Sequence, residues 1–416
     1  MSVSNDRYLS AREAALNLGI SIDTLYAYVS RGLLRSEAAA DQKRSRRYSF
    51  EEIERFKQRR QEYRHPDRVA AGTMHAGMPV MESAITLITE ERFYYRGQDA
   101  LKLANNCSVE QVAALIWTGD TARDTTLFSS AQSEGRASRY NKVKSHLQGL
   151  GSLEAFQIGL TLAALEDIAA YDLRPDAVAQ TGARVLYLLA DIIAGGKIQN
   201  EGIAQTVQDG WIQDNPAAVE LIKIALILCA DQEFNVTTFA ARCVASAGAS
   251  PYAVVGAGLV ALQGIKHAGQ TDRIEAFLRE TARATNVRSA ITSLLKRGEA
   301  IPGFGEVVPG FGSIFYPAGD PRGKMLLEQT TYYFPTSPVV ALAQQITEET
   351  QNSLGASPTV FFALVTLARS LNLPPNGAIA LFALGRTIGW IGHAIEQYQS
   401  NDVLRPRALY NGPAVQ

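Results

Sequence analysis

The chain has 416 residues, enough for two or three domains each with its own core. A hydrophobic content of 46% and a charged content of 19% describe an ordinary globular protein, and neither a continuous apolar run long enough for a membrane span nor a signal peptide in MSVSNDRYLS is expected. The net charge of −1 hides an asymmetry: residues 1–70 carry 14 Lys or Arg against 10 Asp or Glu, which leaves the remainder at −5, so the basic end is the one to test for nucleic acid. Cys107, Cys229 and Cys243 are an odd number without a paired ligand spacing, which points to reduced thiols acting as apolar filler in a cytoplasmic protein.

In chain order, Ser10 with Glu13 forms a capping box, and the AREAALNL that follows predicts a helix stopped by Gly19. Ser21 caps a second helix, IDTLYAYVSRG, ending at Gly32. Two short helices across a turn of about four residues make a helix-turn-helix, whose second member is the one that enters a major groove. Lys43, Arg44, Arg46 and Arg47 cluster ahead of Tyr48, and Ser49 with Glu52 opens a further helix, EEIERFKQRRQEYR. Residues 7–64 resemble the MerR-type or excisionase-type winged helix-turn-helix, the likeness resting on YLSAREAALNLGISIDTLYAYVSRGLL and RRYSFEEI. The resemblance implies DNA as a partner, with Tyr26, Tyr28, Ser30 and Arg31 at the exposed end of the recognition helix and Lys43, Arg44, Arg46 and Arg47 in a wing along the phosphates. A small helical domain for protein contacts is the alternative.

Residues 66–80, PDRVAAGTMHAGMPV, have no period and read as a linker. ESAITLITEERFYYRGQDA alternates like a short strand pair, and Ser108 with Gln111 caps the helix after it. Residues 150–262 are helical in period almost throughout and rich in Ala and Gly, as closely packed helices of a large all-α body require. There is no Rossmann fingerprint, no Walker loop and no Cys/His metal pair, so neither a metal nor a permanently bound cofactor is expected.

Residues 301–323, IPGFGEVVPGFGSIFYPAGDPRG, hold six of the 33 glycines and four of the 16 prolines. Such a segment is either a connection between helices or a loop that presents main-chain groups to a ligand, and GDPRG, which sets Arg322 beside a turn, favours the second. The loop resembles that of the citrate synthase family, which reads PGFGHxxYPxGDPR; Tyr316, Pro317, Gly319, Asp320, Pro321 and Arg322 match, whereas Ser313 stands where the family has a histidine.

The likeness extends over about 330 residues. His267 in GIKHAGQ matches the family's first catalytic histidine, Phe361 in ASPTVFFAL stands at the family's aspartate, and Gln232 in ADQEFNVTT replaces a histidine that contacts oxaloacetate. Arg322, Arg386 and Arg405 match the arginines that hold the dicarboxylate, the last reaching in from a partner subunit, which implies a homodimer. The family joins acetyl-CoA to the ketone of oxaloacetate, so acetyl-CoA or another acyl-CoA and small carboxylates are the implied ligands. That chemistry needs a base and two donors; Phe361 cannot accept a proton, and Ser313 stands in place of the histidine that the family uses as the second donor. The three arginines are expected to converge on one cleft with no carboxylate partner among the motifs.

The resemblance implies a mainly α fold: a winged helix-turn-helix over residues 1–65, a linker over 66–80, and a two-domain body whose large domain takes 81–262 and 372–416 and whose small domain takes 263–371. Three functional readings stay open at this stage. One is a DNA-binding regulator whose body senses acyl-CoA, oxaloacetate or citrate; another is a working synthase with Glu306 or a water-linked group as base; the third is a structural subunit paired with an active paralogue.

Overall fold

The computed structural model describes residues 8–18, 20–30, 34, 36–38, 46–50, 53, 81–134, 144–147, 149–196, 202–212, 215–298, 305–400, 402–406 and 412–413. They fall into two compact units, one drawn from Met1–Glu82 with Arg407–Gln416 and one spanning Ser83–Pro406. Gly19 and Gly32 as helix stops, the helix capped by Ser49 and Glu52, and the 66–80 linker lie outside the described residues.

In the first unit, strand β1 (Tyr8–Ser10) runs into helix α1 (Ala11–Leu18), followed by α2 (Ile22–Ser30), β2 (Glu37–Ala38) and β3 (Arg46–Ser49). The Ser10 capping box forms as expected: the Ser10 amide donates to the Glu13 carboxylate at 2.8 Å, and the Glu13 amide donates to Ser10 Oγ at 3.3 Å. The Thr24 amide donates to Ser21 Oγ at 3.2 Å and starts α2 in the same way. The strands pair antiparallel in the order β1-β3-β2, with Leu9 opposite Tyr48 and Glu37 opposite Arg47. Leu9, Ala14, Leu18, Leu25, Tyr48 and Ile53 form the core of this unit, so both helices and the sheet close on one apolar centre.

The second unit opens with β4 (Thr86–Ile88), β5 (Phe93–Tyr95) and β6 (Gln98–Asp99), an antiparallel sheet in chain order. Helices follow: α3 (Ala100–Asn106), α4 (Val109–Thr118), α5 (Asp124–Glu134), α6 (Ser152–Ala164), α7 (Pro175–Ala194), α8 (Ile203–Trp211), α9 (Pro216–Leu228), α10 (Val236–Ser246) and α11 (Pro251–Leu262). Next come α12 (Ala268–Arg283), α13 (Val287–Arg297), α14 (Pro321–Tyr333), α15 (Pro338–Leu354), α16 (Val360–Ser370) and α17 (Gly377–Ser400). The Ser108–Gln111 capping box is complete at the start of α4, and Gly119 ends that helix in the left-handed region.

Helix α17 is mostly apolar and buried along almost its whole length, with Arg386 and His393 buried among its apolar residues, the pattern of a helix at the centre of a large bundle. Two glycines set its approach to α9. A Cβ on Gly385 would stand 2.6 Å from the Leu226 carbonyl oxygen, and one on Gly389 would stand 2.4 Å from that of Ala230. With no side chain there, the Gly389 amide donates directly to Ala230 O at 2.9 Å. This approach brings Arg386 against the end of α9. Helices α7 and α17 are each long and apolar enough by length and composition to cross a membrane, though neither is an uninterrupted apolar run; the apolar stretch of α17 is wholly buried inside the protein and that of α7 is 78% buried. Each buries its apolar faces against neighbouring helices, so in this fold both serve as core helices. The three cysteines are free thiols, Cys229 buried and Cys107 and Cys243 half-buried; burial raises all three thiol pKa values, that of Cys229 to about 11, as expected of packing residues.

Candidate functional site

Of the residues that the sequence singled out, Gln232, Arg322, Phe361 and Arg386 lie where α9, α14, α16 and α17 come together. The α14 cap anchors the cluster. Asp320 accepts from the Arg322 amide at 3.0 Å and, from the next helix over, from the Val360 amide at 3.1 Å. The same carboxylate holds the Arg322 guanidinium fork to fork, Nε at 3.0 Å and Nη2 at 2.8 Å, with both side chains 4% exposed or less. Arg322 Nη1 donates to Gln232 Oε1 at 2.6 Å, and the Tyr316 and Phe93 rings lie within 6 Å of its guanidinium carbon. The expectation that the arginines lack a carboxylate partner is therefore wrong for Arg322. Asp320 was legible in GDPRG as a match, but nothing in the spacing said that it would fold back onto the arginine two residues on.

Arg386 fits that expectation better. It is fully buried, and its Nε donates to the Cys229 carbonyl at 2.8 Å, at the C-terminal end of α9 where orphan carbonyls gather. Among the described residues, neither Nη1 nor Nη2 has a hydrogen-bond acceptor. Burial pushes its pKa down and the nearby Arg322 adds to this, while Asp231 opposes it. The guanidinium sits over the Phe382 ring at 4.7 Å from the centroid, and the Phe361 ring packs beside Phe382 at 4.8 Å between centroids. His267 stands half-buried at the N-cap of α12; burial lowers its pKa and the charge of Arg386 lowers it further, so the imidazole is neutral at pH 7.

Sequence reasoning missed the support behind Arg386. Asp231, fully buried, accepts from Thr86 Oγ1 at 2.6 Å and from the Glu233 amide at 3.1 Å, and its Oδ1 lies 3.3 Å from His393 Nε2 without an aligned hydrogen bond. Arg242 Nη1 approaches His393 Nδ1 at 3.3 Å, and a guanidinium can only donate, so Nδ1 is the acceptor and Nε2 carries the proton that faces Asp231. Burial alone would raise the pKa of Asp231, but His393, Arg386 and Thr86 outweigh it and the carboxylate stays ionised. No motif in the sequence linked Asp231 to His393, which is 162 positions further on.

Ser313 lines a cavity of about 180 Å³ together with Tyr316, Asp320, Ser357 and Thr359. The loop reaches this place through Gly310 and Gly312, both at positive φ; a Cβ on Gly312 would stand 2.2 Å from the Gly305 carbonyl oxygen. Glu306, the alternative base, has both oxygens engaged inside this loop: Arg273 Nη2 donates at 3.0 and 2.8 Å and the Gly310 amide at 3.0 Å. That arrangement makes it a tether between the loop and α12. Arg405 is exposed in the extended segment after α17.

In the first unit, Tyr26 on α2 is 48% exposed. Tyr28 and Ser30 belong to α2, their side chains outside the described residues, as are Arg31, Lys43 and Arg44 altogether. Arg46 is exposed and donates to Ser36 Oγ at 2.7 Å, and Arg47 covers the Tyr8 ring at 4.1 Å. Arg47 therefore also braces β1 against β3.

A family model described as citrate synthase, C-terminal domain, matches residues 73–407, and one described as a helix-turn-helix domain matches residues 8–61. Citrate synthase 2 of Bacillus subtilis is 27% identical over 359 residues, covering 81% of this chain and 95% of the relative. A 2-methylcitrate synthase of Mycobacterium tuberculosis is 26% identical over 358 residues, covering 81% and 89%. Among solved structures, citrate synthase from Thermotoga maritima superposes with a TM-score of 0.68 at 24% identity, covering 82% of this chain and 96% of that one. A ternary complex of the Thermoplasma acidophilum citrate synthase with carboxymethyl coenzyme A and oxaloacetate gives 0.71 at 19% identity, covering 83% and 97%. At these identities the two structures speak to the fold alone.

Proposed function

Because the chain belongs to the citrate synthase family and carries a helix-turn-helix domain ahead of the family's region, we propose that it is a DNA-binding regulator whose body binds a small carboxylate, with or without an acyl-CoA, and does not turn it over. The observation that carries this reading is Phe361. Aligned with the family's aspartate, it puts an aromatic ring against Phe382 where a carboxylate would have to accept a proton. Ser313, at the position of the family's ketone-polarising histidine, replaces a cationic donor by a neutral hydroxyl, whereas His267, Arg322 and Arg386 match the family's residues. Removing one catalytic group commonly costs a factor of about 10² to 10⁴, so the regulator reading expects no thiol release from acetyl-CoA in the presence of oxaloacetate beyond the uncatalysed rate. Turnover of about 1 s⁻¹ or more, the ordinary range for enzymes, would sink it.

Arg386 is the proposed carboxylate receptor, since its two outer nitrogens are buried and have no acceptor among the described residues. Oxaloacetate or citrate at about a hundred times its dissociation constant is expected to stabilise the protein by about 2.7 kcal/mol and so raise its melting temperature. Arg386→Met, which keeps an unbranched apolar side chain in the buried place and removes the guanidinium, is expected to abolish that shift while leaving the unliganded protein as stable or more so. Equal shifts in parent and variant would remove the clamp from the reading.

Arg405 in this reading serves the site of a partner subunit, which makes the protein a two-fold dimer presenting two helix-turn-helix units to an inverted repeat. Light scattering that returns a monomer at micromolar concentration overturns the dimer. Replacing Lys43, Arg44 and Arg46 by Ala is expected to weaken binding to all DNA sequences and to flatten its salt dependence. Unchanged binding at every salt concentration would show that the wing does not lie on phosphates.

A further inference from the structure

The hairpin of α12 and α13 is basic in a body that is acidic overall: residues 268–297 hold six Lys or Arg against three Asp or Glu. Three of the six are paired, Arg273 with Glu306, Arg288 with Glu349 and Arg297 with Glu280. Arg279 and Arg283, one helical turn apart on α12, have no hydrogen bond or ion pair among the described residues. Glu275, the carboxylate that feels Arg279, is itself bridged to Arg369 at 3.4 Å. Like charges four positions apart on a helix repel. The helix dipole compensates Arg283, which lies in the last turn of α12, but not Arg279, which lies before it.

We propose that this hairpin binds a phosphate monoester of a small hydroxylated molecule, with Arg279 and Arg283 on the phosphate. The two arginines line a cavity of about 570 Å³ together with Glu280, Thr285, Ser289 and Ser293, and the rest of its wall is alanine. That volume lies within the range of about 300–1,000 Å³ usual for small-molecule sites. Two neighbouring guanidinium groups suit a dianion with several acceptor oxygens. Glu280, the one carboxylate in the wall, is neutralised by Arg297, whose two Nη atoms donate to it at 2.9 and 2.8 Å. The serine hydroxyls are open in complementary senses. Ser289 Oγ donates to the Asn286 carbonyl at 2.8 Å and can still accept, whereas Ser293 Oγ accepts from Arg297 Nη1 at 2.9 Å and can still donate. They therefore suit the hydroxyl groups of the esterified molecule. No aromatic ring lines the cavity, so a nucleotide base finds no stacking platform there. The free arginines gather within one turn around a concavity instead of forming a stripe, which favours a small ligand over a DNA backbone.

The test is calorimetric titration of the full-length protein with ribose 5-phosphate, inorganic phosphate and ribose. The parent is expected to bind ribose 5-phosphate, to bind inorganic phosphate more weakly and not to bind ribose. Arg279→Gln with Arg283→Gln is expected to weaken ribose 5-phosphate binding about tenfold or more, the effect of losing one charge-assisted hydrogen bond. Its melting temperature should stay level or rise, because a like-charge pair is gone. Arg288→Gln removes a cation of the same hairpin that does not line the cavity, and is expected to leave binding unchanged. Equal weakening in the two proteins would mean general attraction to a basic surface and would overturn the site. A double variant that binds as tightly as the parent overturns it too. Inorganic phosphate bound as tightly as its ribose ester overturns the assignment of the hydroxyls and leaves a free anion as the ligand. If the parent binds none of the three and the double variant loses affinity for duplex DNA, the arginines belong to a DNA contact and the proposal falls. Arg386 is tested separately with oxaloacetate, so either site can fail without the other.

Discussion

Asp320→Ala is expected to destabilise the protein by about 3–5 kcal/mol, because it leaves the Arg322 guanidinium buried without its counter-ion. The carboxylate has three duties at once: it caps α14 through the Arg322 amide, ties α14 to α16 through the Val360 amide, and holds the guanidinium by two parallel hydrogen bonds. Asp320→Asn keeps the shape and an acceptor for the cap but removes the charge, and its loss should be intermediate. The informative variant is Asp320→Ala with Arg322→Met. With no lone charge left inside, much of the stability should return, whereas two independent contributions would simply add. The measurement is the urea midpoint of each protein at constant slope. An Asp320→Ala protein within about 1 kcal/mol of the parent would mean that water reaches Arg322 and that the pair is not the buried anchor described here.

What the sequence disclosed follows from what local chemistry can encode. Capping boxes at Ser10 and Ser108 are contained within four residues, and both formed where they were read. The central place of α17 was less visible: its apolar run looks like a continuation of an Ala-rich body, and only the contact of Gly385 and Gly389 with the carbonyls of Leu226 in α9 and Ala230 just beyond it shows why it carries Arg386 into the site. The site was legible through resemblance, residue by residue, for His267, Arg322 and Arg386. Its pairing was not, because a sequence pattern names an arginine without saying which acceptor it will find. Asp320 folds back onto Arg322 two residues on, whereas Arg322 meets Gln232 and Arg386 meets the Cys229 carbonyl only through helix packing, across 90 and 157 positions of the chain. Glu306 illustrates the same limit. It looked like a spare carboxylate near the loop, and the fold uses it to hold the loop to Arg273.

Phe361→Asp combined with Ser313→His is expected to raise thiol release from acetyl-CoA and oxaloacetate by about 10² over the parent, the lower end of what restoring a base contributes. Residue 361 lies in the first turn of α16, one position after the amide that Asp320 receives, so a carboxylate there stands at a helix N-terminus that favours its charge. The present ring packs beside Phe382, which itself underlies Arg386, so the new carboxylate would lie one ring away from the unpaired guanidinium. Both influences oppose the rise in pKa that burial would otherwise cause, and they keep the base ionised at neutral pH. The exchange removes a half-buried aromatic contact, so the melting temperature should fall, and activity is compared at a temperature where each protein is folded. The control is Phe361→Asn with Ser313→His, which matches the shape and the loss of packing but cannot accept a proton. If the aspartate variant releases thiol no faster than the asparagine control while still binding oxaloacetate, then residue 361 is not the missing base, and the proposal that this body lost its activity there is wrong.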